Sequence, residues 1–396
     1  MFELFQPPNY PATLERMFRF AKPKFRKPGN EMKPIVALLG RRDAQSDGVQ
    51  DYCEFLGAGL EQLGIELTIA RVEWNQSGWL GAMKELWRVS EAWRARWVML
   101  HYTALGWSRR GFPFGAVAAI LLLRTRGVKC GVVFHEPYRQ GERNVSWMRR
   151  LRGACQELVI HNLHRVAVRS IFTIPLRMIS WLPKRDTKSV FIPIGANVPE
   201  PATLPEYGSR EGNRTTVSVF CLSDPPFRGK EIREISYAMR CAARTGPGLR
   251  IVFLGKGTRE ASGDIERAFD GIPVEVTNLG LCEREVVSRV LAGSQAMLCV
   301  RGKLNLRRGS ALAGIACAVP ILAYAGGAEG TALLDAGIEF VAEGDLPALG
   351  AALTRVLEDQ VHWQILRDKN VFVQQKHFSW DVIAASYVQL LSGTRA

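Results

Sequence analysis

The sequence predicts two successive α/β domains, each built on a parallel sheet. Three observations carry that expectation. Short apolar runs alternate with segments of helical spacing, the pattern halts at a stretch rich in proline and glutamate, and it then restarts. With 396 residues the chain also exceeds the size at which a single hydrophobic core stops growing.

The elements follow in order. Residues 1–33 are rich in Pro, Lys, Arg and Phe without a sustained period and read as an N-terminal arm. Pro34 to Gly40 is an apolar run closed by glycine, as expected of a buried parallel strand. Val49 to Leu63 places apolar side chains at 52, 55, 56, 60 and 63, a helical spacing stopped by Gly64. Further strands are expected at Glu66–Ala70, Trp97–Leu100 and Cys130–Phe134, with helical patterns at 79–95 and 112–126, and Ser189–Ile194 closes a first domain spanning 34–197. Residues 198–213 carry three prolines, three glutamates and two glycines and form the linker. The second domain, 214–378, is expected to hold strands at Val217–Cys221, Leu249–Leu254, Val274–Thr277 and Ala296–Val300, with helices at Glu231–Arg244 and Arg284–Ala292. In such sheets ligands bind beyond the carboxyl ends of the strands, so a cleft between the domains is the expected site.

Composition narrows the class. At 47% hydrophobic and 23% charged the chain is that of a soluble globular protein. The N-terminus lacks the pattern of a secretory signal, and the longest apolar run, Ala116–Leu123, is too short to cross a bilayer; a cytoplasmic location is expected. Eight cysteines without a CxxC pair read as reduced core residues, and six dispersed histidines suggest no metal site and no cofactor. The net charge of +14 is uneven: residues 1–200 carry 30 basic and 17 acidic side chains, against 22 and 21 in the remainder. Residues 101–200 alone hold 16 basic and 5 acidic side chains, interleaved with Trp107, Phe112, Phe114, Trp147 and Trp181. Such a basic, aromatic-bearing region suits an anionic membrane surface, which would place the protein peripherally at the inner face of the cytoplasmic membrane, and equally suits a merely solvated face. A nucleic-acid partner is not expected, because the second half is near neutral and no recognised nucleic-acid module is present.

The most informative stretch is 301–322, where a basic loop closing on Gly309-Ser310 opens into a small-residue helix ending at Pro320. The amides of Gly309, Ser310 and Ala311 at a helix N-terminus, with Arg307 and Arg308 beside them, would form a diphosphate pocket. Taken alone, the stretch reads more readily as an ordinary basic loop capped by Ser310. His135, at the carboxyl end of a strand and followed by Glu136, is placed where a side chain enters the cleft, although a lone histidine is more often structural.

The order of several segments resembles glycosyltransferases of the GT-B fold, in particular glycosyltransferase family 4. They are Asp47–Tyr52 after the first strand, His135-Glu136 after the fourth, Pro193–Val198 before the linker, Phe220–Lys230, Arg308-Gly309-Ser310 through Pro320, and Phe378-Ser379-Trp380. Together they span about residues 34–393. The resemblance implies two Rossmann-like, doubly wound domains facing across a cleft, with a helix at 379–396 able to cross back to the first domain. It implies a nucleotide-sugar donor on the second domain, a glycan, polysaccharide or lipid-linked acceptor on the first, and glycosyl transfer between them. By that implication His135 and Glu136 meet the transferred sugar or acceptor, and Asp47, Tyr138 and Arg139 contact the acceptor. Gly48, Arg228, Lys230, Arg308, Gly309 and Ser310 hold the diphosphate, and Gly255, Gly257 and Leu281 border the nucleotide. A cation-rich setting is what a departing nucleoside diphosphate requires.

The chain departs from the family pattern at three points. The two glutamates separated by seven residues in family members fall at Asn305 and Ala313; the phosphate loop is basic; and the arginine usual after the first strand of the second domain falls near Ser223. A non-catalytic nucleotide-sugar or glycan-binding member is therefore the alternative, with a nucleotide-sugar epimerase behind it.

Overall fold

The computed structural model describes residues 33–41, 47–137, 147–204, 214–244 and 248–393. Two six-stranded, all-parallel sheets form the two halves, with strand orders β2-β1-β3-β4-β5-β6 and β12-β11-β10-β7-β8-β9.

In the first half the strands are β1 (Ile35–Leu39), β2 (Leu67–Arg71), β3 (Trp97–Tyr102), β4 (Lys129–Phe134), β5 (Arg169–Phe172) and β6 (Ser189–Phe191). β1 is buried along its whole length because helices cover both faces of the sheet. On one face lie α2 (Trp74–Val89), α3 (Phe114–Thr125) and α4 (Trp147–Val166), whose Leu86, Ile120 and Leu163 share a core with Leu100 and Phe134. On the other lies α1 (Gly48–Gln62), where Leu56 and Leu60 meet Ile35 and Val133. Asp47 starts α1 by accepting from the amides of Val49 and Gln50. The helix expected at 79–95 begins earlier, at Trp74, and breaks at Gly78 (φ 69°, ψ 167°). That break lets Trp74 stack on Trp79 at 5.2 Å, and burial of Trp74 outweighs continuous helix.

The second half contains β7 (Thr215–Phe220), α5 (Arg228–Ala242), β8 (Leu249–Leu254), α6 (Ser262–Phe269), β9 (Val274–Gly280), α7 (Arg284–Ala292), β10 (Ala296–Lys303), α8 (Gly309–Ala316), β11 (Ile321–Tyr324) and β12 (Ile338–Val341). α9 (Leu346–Glu358) and α10 (Gln360–Val373) complete it. Two cores, one around Ile235, Phe253 and Leu353 and one around Met297, Ile315 and Ile321, cover the faces of its sheet.

α11 (Trp380–Ser392), capped by Ser379 and ended by left-handed Gly393, returns to the first half. Its Ile383, Ala384, Tyr387 and Leu391 belong to the core that α1 shares with β1. The approach is close: a Cβ on Gly59 would lie 2.8 Å from the Trp380 carbonyl. No helix among the described residues is long and apolar enough to cross a membrane.

Candidate functional site

In each sheet the strand order reverses once, between β1 and β3 and between β7 and β10, and it is beyond the carboxyl ends at such a point that open α/β sheets bind ligands. At the first switch point the loops after β1 and β3 touch backbone to backbone. A Cβ on Gly40 would fall 2.1 Å from the Gly106 carbonyl oxygen, so no larger residue fits. Beside this contact is a cavity of about 260 Å³ whose lining includes Asp47, Gly48, Tyr52, His101, His135 and Glu136.

His135 follows β4 and His101 sits near the end of the neighbouring β3. Their rings stack with centroids 5.3 Å apart, and His101 Nδ1 lies 3.1 Å from His135 Nε2. One of these nitrogens donates and the other accepts, so the pair is satisfied with both rings neutral. Burial pushes the His135 pKa down to about 4, against a smaller opposing pull from Asp47. The same cause, with His135 second, holds His101 well below its ordinary value. Tyr52 packs edge-on to His135 at 5.1 Å, and its hydroxyl meets that of Tyr387 at 2.9 Å. The sequence reading passed over His101. The signal was available, because His101 directly follows the expected strand Trp97–Leu100 as His135 directly follows Cys130–Phe134, although the register sets His101 opposite Val133.

Glu136 accepts from the Ala104 amide at 3.3 Å, which ties it to the loop after β3. Asp47 lines the cavity with both oxygens engaged, one capping α1 and the other accepting from Arg71 at 2.6 Å. Its observed work is thus to anchor the loop. Gly48 faces open space, with Asn197 Nδ2 at 4.0 Å the nearest atom to a notional Cβ. Tyr138 and Arg139 lie outside the described residues.

The second switch point gathers the cations. Arg228, the first residue of α5, donates through Nε to the Ser223 carbonyl at 3.0 Å. Ser223 N–H in turn donates to buried Glu231 at 2.8 Å. Arg308 donates to the Arg301 carbonyl, and burial followed by the Arg301 charge lowers its pKa from the ordinary value. Arg301 Nε is buried with no hydrogen-bond partner. Glu231, whose pKa burial raises, is the acidic side chain facing both guanidinium groups, so positive charge predominates. Arg301 was missed because the expected strand ended at Val300, whereas β10 runs on to Lys303.

The turn into α8 corrects one expectation. Gly309 N–H donates to the Arg307 carbonyl and Ala311 N–H to that of Arg308, because non-helical Arg308 (φ −81°, ψ 86°) folds the turn on itself. Ser310, 8% exposed, keeps an amide without a backbone acceptor among the described residues. Lys230 is exposed and lies 3.6 Å from Glu234 and 3.5 Å from Glu343. Gly255 and Gly257 have φ of 89° and 84°, and Cβ atoms there would meet Cys221 Sγ at 2.7 Å and the Leu222 carbonyl at 2.9 Å. Close packing against the loop after β7 is thus what demands glycine at both. Leu281 is exposed just beyond β9. Asn305 accepts from the Arg307 amide, while Ala313 lies in the core at 1% exposure.

The structure therefore gathers Asp47, Gly48, His135 and Glu136 at the first switch point and Arg228 and Arg308 at the second, while Lys230, Gly255, Gly257 and Leu281 make their contacts elsewhere. The halves meet around the first. Arg284 of α7 pairs there with Asp51 and Glu54 of α1, while Asn197 Nδ2 donates to the Gly48 carbonyl at 3.5 Å within the first half and Trp380 Nε1, at the start of α11, donates to the Ala196 carbonyl at 2.8 Å. Among the described residues no group of three or more His, Cys, Asp or Glu side chains is arranged around a metal site.

No protein-family model matches the chain. No curated protein matches it either. Solved structures do. Sucrose-phosphate synthase from Thermosynechococcus elongatus is 17% identical with a TM-score of 0.63, the match covering 91% of this chain and 98% of that one. A glycosyltransferase from Rickettsia africae is 13% identical with a TM-score of 0.62, covering 92% and 100%. HepE of Anabaena, in complex with UDP and glucose, is 13% identical with a TM-score of 0.60, covering 91% and 100%. At these identities the likeness is one of architecture, and the chain has the GT-B fold of two Rossmann-like domains.

Proposed function

We propose that the protein is a glycosyltransferase of the family 4 type, moving a sugar from a nucleoside-diphosphate donor to a glycan or lipid-linked acceptor. The observation that carries this reading is the under-neutralised cluster of Arg228, Arg301 and Arg308 at the switch point of the second sheet, beside the Ser310 amide. Cations and a helix N-terminus stabilise the charge that grows on a departing diphosphate. HepE, of the same fold, is known in complex with UDP and with UDP-glucose, which supports a nucleotide-sugar as the ligand.

In this reading the first-sheet cavity receives the transferring sugar and the acceptor. His135, kept neutral, hydrogen-bonds a sugar hydroxyl through the ring nitrogen not engaged by His101. Glu136 orients the acceptor, and Gly48 leaves room for the sugar at the start of α1. Arg228, Arg301, Arg308 and Ser310 N–H hold the diphosphate, with Gly309 contributing shape. Lys230, Gly255, Gly257 and Leu281 lie around this group, Leu281 toward the base. No metal or other cofactor enters the scheme.

One observation favours a second reading, in which the chain binds a nucleotide-sugar without transferring it. Asn305 and Ala313 stand where family 4 members carry their glutamates, and Ala313 is sealed in the core. A thermal-shift series with nucleoside diphosphates and their sugar conjugates, followed by donor hydrolysis without acceptor, tests both. A selective rise in melting temperature with donor turnover supports the transferase. A rise with no turnover supports the binding protein, and no rise with any nucleotide removes both.

A further inference from the structure

The helical layer formed by α2, α3 and α4 is apolar on both of its sides. Inward, Leu86, Ile120 and Leu163 fill the core. Outward, each helix exposes a second set of large apolar side chains: Leu80 and Trp87 on α2, Phe114 and Leu121 on α3, Trp147, Leu151 and Leu158 on α4. At 100° per residue the α4 set, together with exposed Ala154, runs at i, i+4, i+7 and i+11 and forms one stripe. Phe114, Ala118 and Leu121 repeat the same spacing on α3, which packs directly against α4. Neighbouring exposed stripes of this kind mark an interaction surface, since scattered apolar side chains would not fall into register.

The charge around the stripes identifies the partner. α4 carries Arg149, Arg150, Arg152 and Arg165 against the single acidic Glu157, and at 100° per residue Arg150 falls beside the stripe and Arg165 on it. Exposed Arg109 and Arg110 precede α3, and Arg124 lies in its last turn. An apolar stripe led by a 70%-exposed tryptophan and flanked by arginines matches a surface that is apolar below and anionic above. A second protein would need acidic side chains distributed among its own apolar contacts, and a second copy of this chain would set arginine against arginine.

We infer that the outer face of α3 and α4 docks the protein onto an anionic lipid bilayer, with Trp147, Leu151, Leu158, Phe114 and Leu121 entering the headgroup–acyl boundary and the arginines meeting lipid phosphates. This surface is separate from both switch points, and docking requires no turnover, so it stands or falls independently of the proposed transferase.

The experiment is co-sedimentation of the full chain with vesicles of phosphatidylcholine alone and of phosphatidylcholine with one-third phosphatidylglycerol, at low and high salt. Two double variants are compared with the parent, Trp147→Ser with Leu151→Ser and Arg150→Glu with Arg165→Glu. Their melting temperatures and sedimentation without lipid are recorded alongside. We expect binding to the anionic vesicles, weakened by salt, and a loss of about tenfold or more in each double variant at unchanged melting temperature. Because all four side chains are exposed, the variants should fold; should one melt early, Phe114→Ser with Leu121→Ser replaces it. Equal binding to neutral vesicles, no binding, or binding that none of these variants weakens overturns the inference. So does a change of oligomeric state in the variants without a change in lipid binding, which would assign the face to a second copy.

Discussion

Arg308 is a partly buried cation held beside another cation, an arrangement that costs stability until an anion arrives. Replacing it with alanine is therefore expected to weaken nucleoside-diphosphate binding by about tenfold or more, since charge-assisted hydrogen bonds to phosphate carry roughly 1.5–3 kcal/mol. Unchanged affinity by calorimetry would remove it from the donor site. His135 makes a different prediction. Its folded pKa lies below that of the unfolded chain, so the unfolded state binds more protons between about pH 6.5 and 4. The stabilisation is complete above 6.5 and is lost as pH falls through that window, to the extent of roughly 3 kcal/mol. His135→Gln should flatten the acid limb of the melting-temperature profile in part only, because His101, also lowered, faces it, with Asp47 and Tyr52 nearby. An unchanged profile would contradict a neutral, buried His135. The sequence could point to His135 and Arg308 because strand ends and helix starts are local features. It could not point to Arg301 or to the pairing of His135 with His101, since both depend on which strands lie side by side.

Among the elements, legibility followed length and periodicity. β1, β3, β4 and α1 lie within a residue or two of their expected bounds, because continuous burial or a clean helical stripe marks them. α4 escaped notice although it is 20 residues long, because polar Gln156 and His164 sit on its buried side while Trp147, Leu151 and Leu158 are exposed, so its period is blurred. β5, β11 and β12, of four residues each, are too short to carry a period of their own. α11 was suggested only through the resemblance, and its seat on α1 is a tertiary fact that no local pattern encodes. That seat can be probed at Gly59, where an added methyl meets the Trp380 carbonyl at 2.8 Å and Ala384 Cβ at 3.1 Å. Backbone cannot yield as a flexible side chain would, so Gly59→Ala is expected to cost about 1–3 kcal/mol despite alanine's better helix propensity. A stabilised variant in chemical denaturation would show that α11 does not press on α1 as described.

Across the whole molecule, the two halves are joined by the linker, by the return of α11 and by the Arg284 contact with Asp51 and Glu54. Arg284 is about 38% exposed, and ion pairs so open to solvent seldom exceed about 1 kcal/mol. Arg284→Ala should accordingly lower global stability by less than about 1 kcal/mol while loosening the halves, visible as greater proteolytic sensitivity of the 198–204 segment. A loss above about 2 kcal/mol would mean that the contact supports folding and does more than bias the cleft. The two-domain plan was readable because the sequence pattern stops and restarts; how the halves are fastened was not, since the fastening residues lie far apart along the chain.

The return of α11 also bears on how the protein is made. Tyr52 supports the ring of His135, and Tyr52 is itself held by Tyr387, 335 positions later. As the ribosome releases the chain from its N-terminal end, the first domain emerges early but lacks one wall of its core until residues 380–392 follow. The first cavity is thus finished only after the second domain has been synthesised, so a nascent chain can assemble the arginine cluster of the second switch point before the cavity of the first is complete.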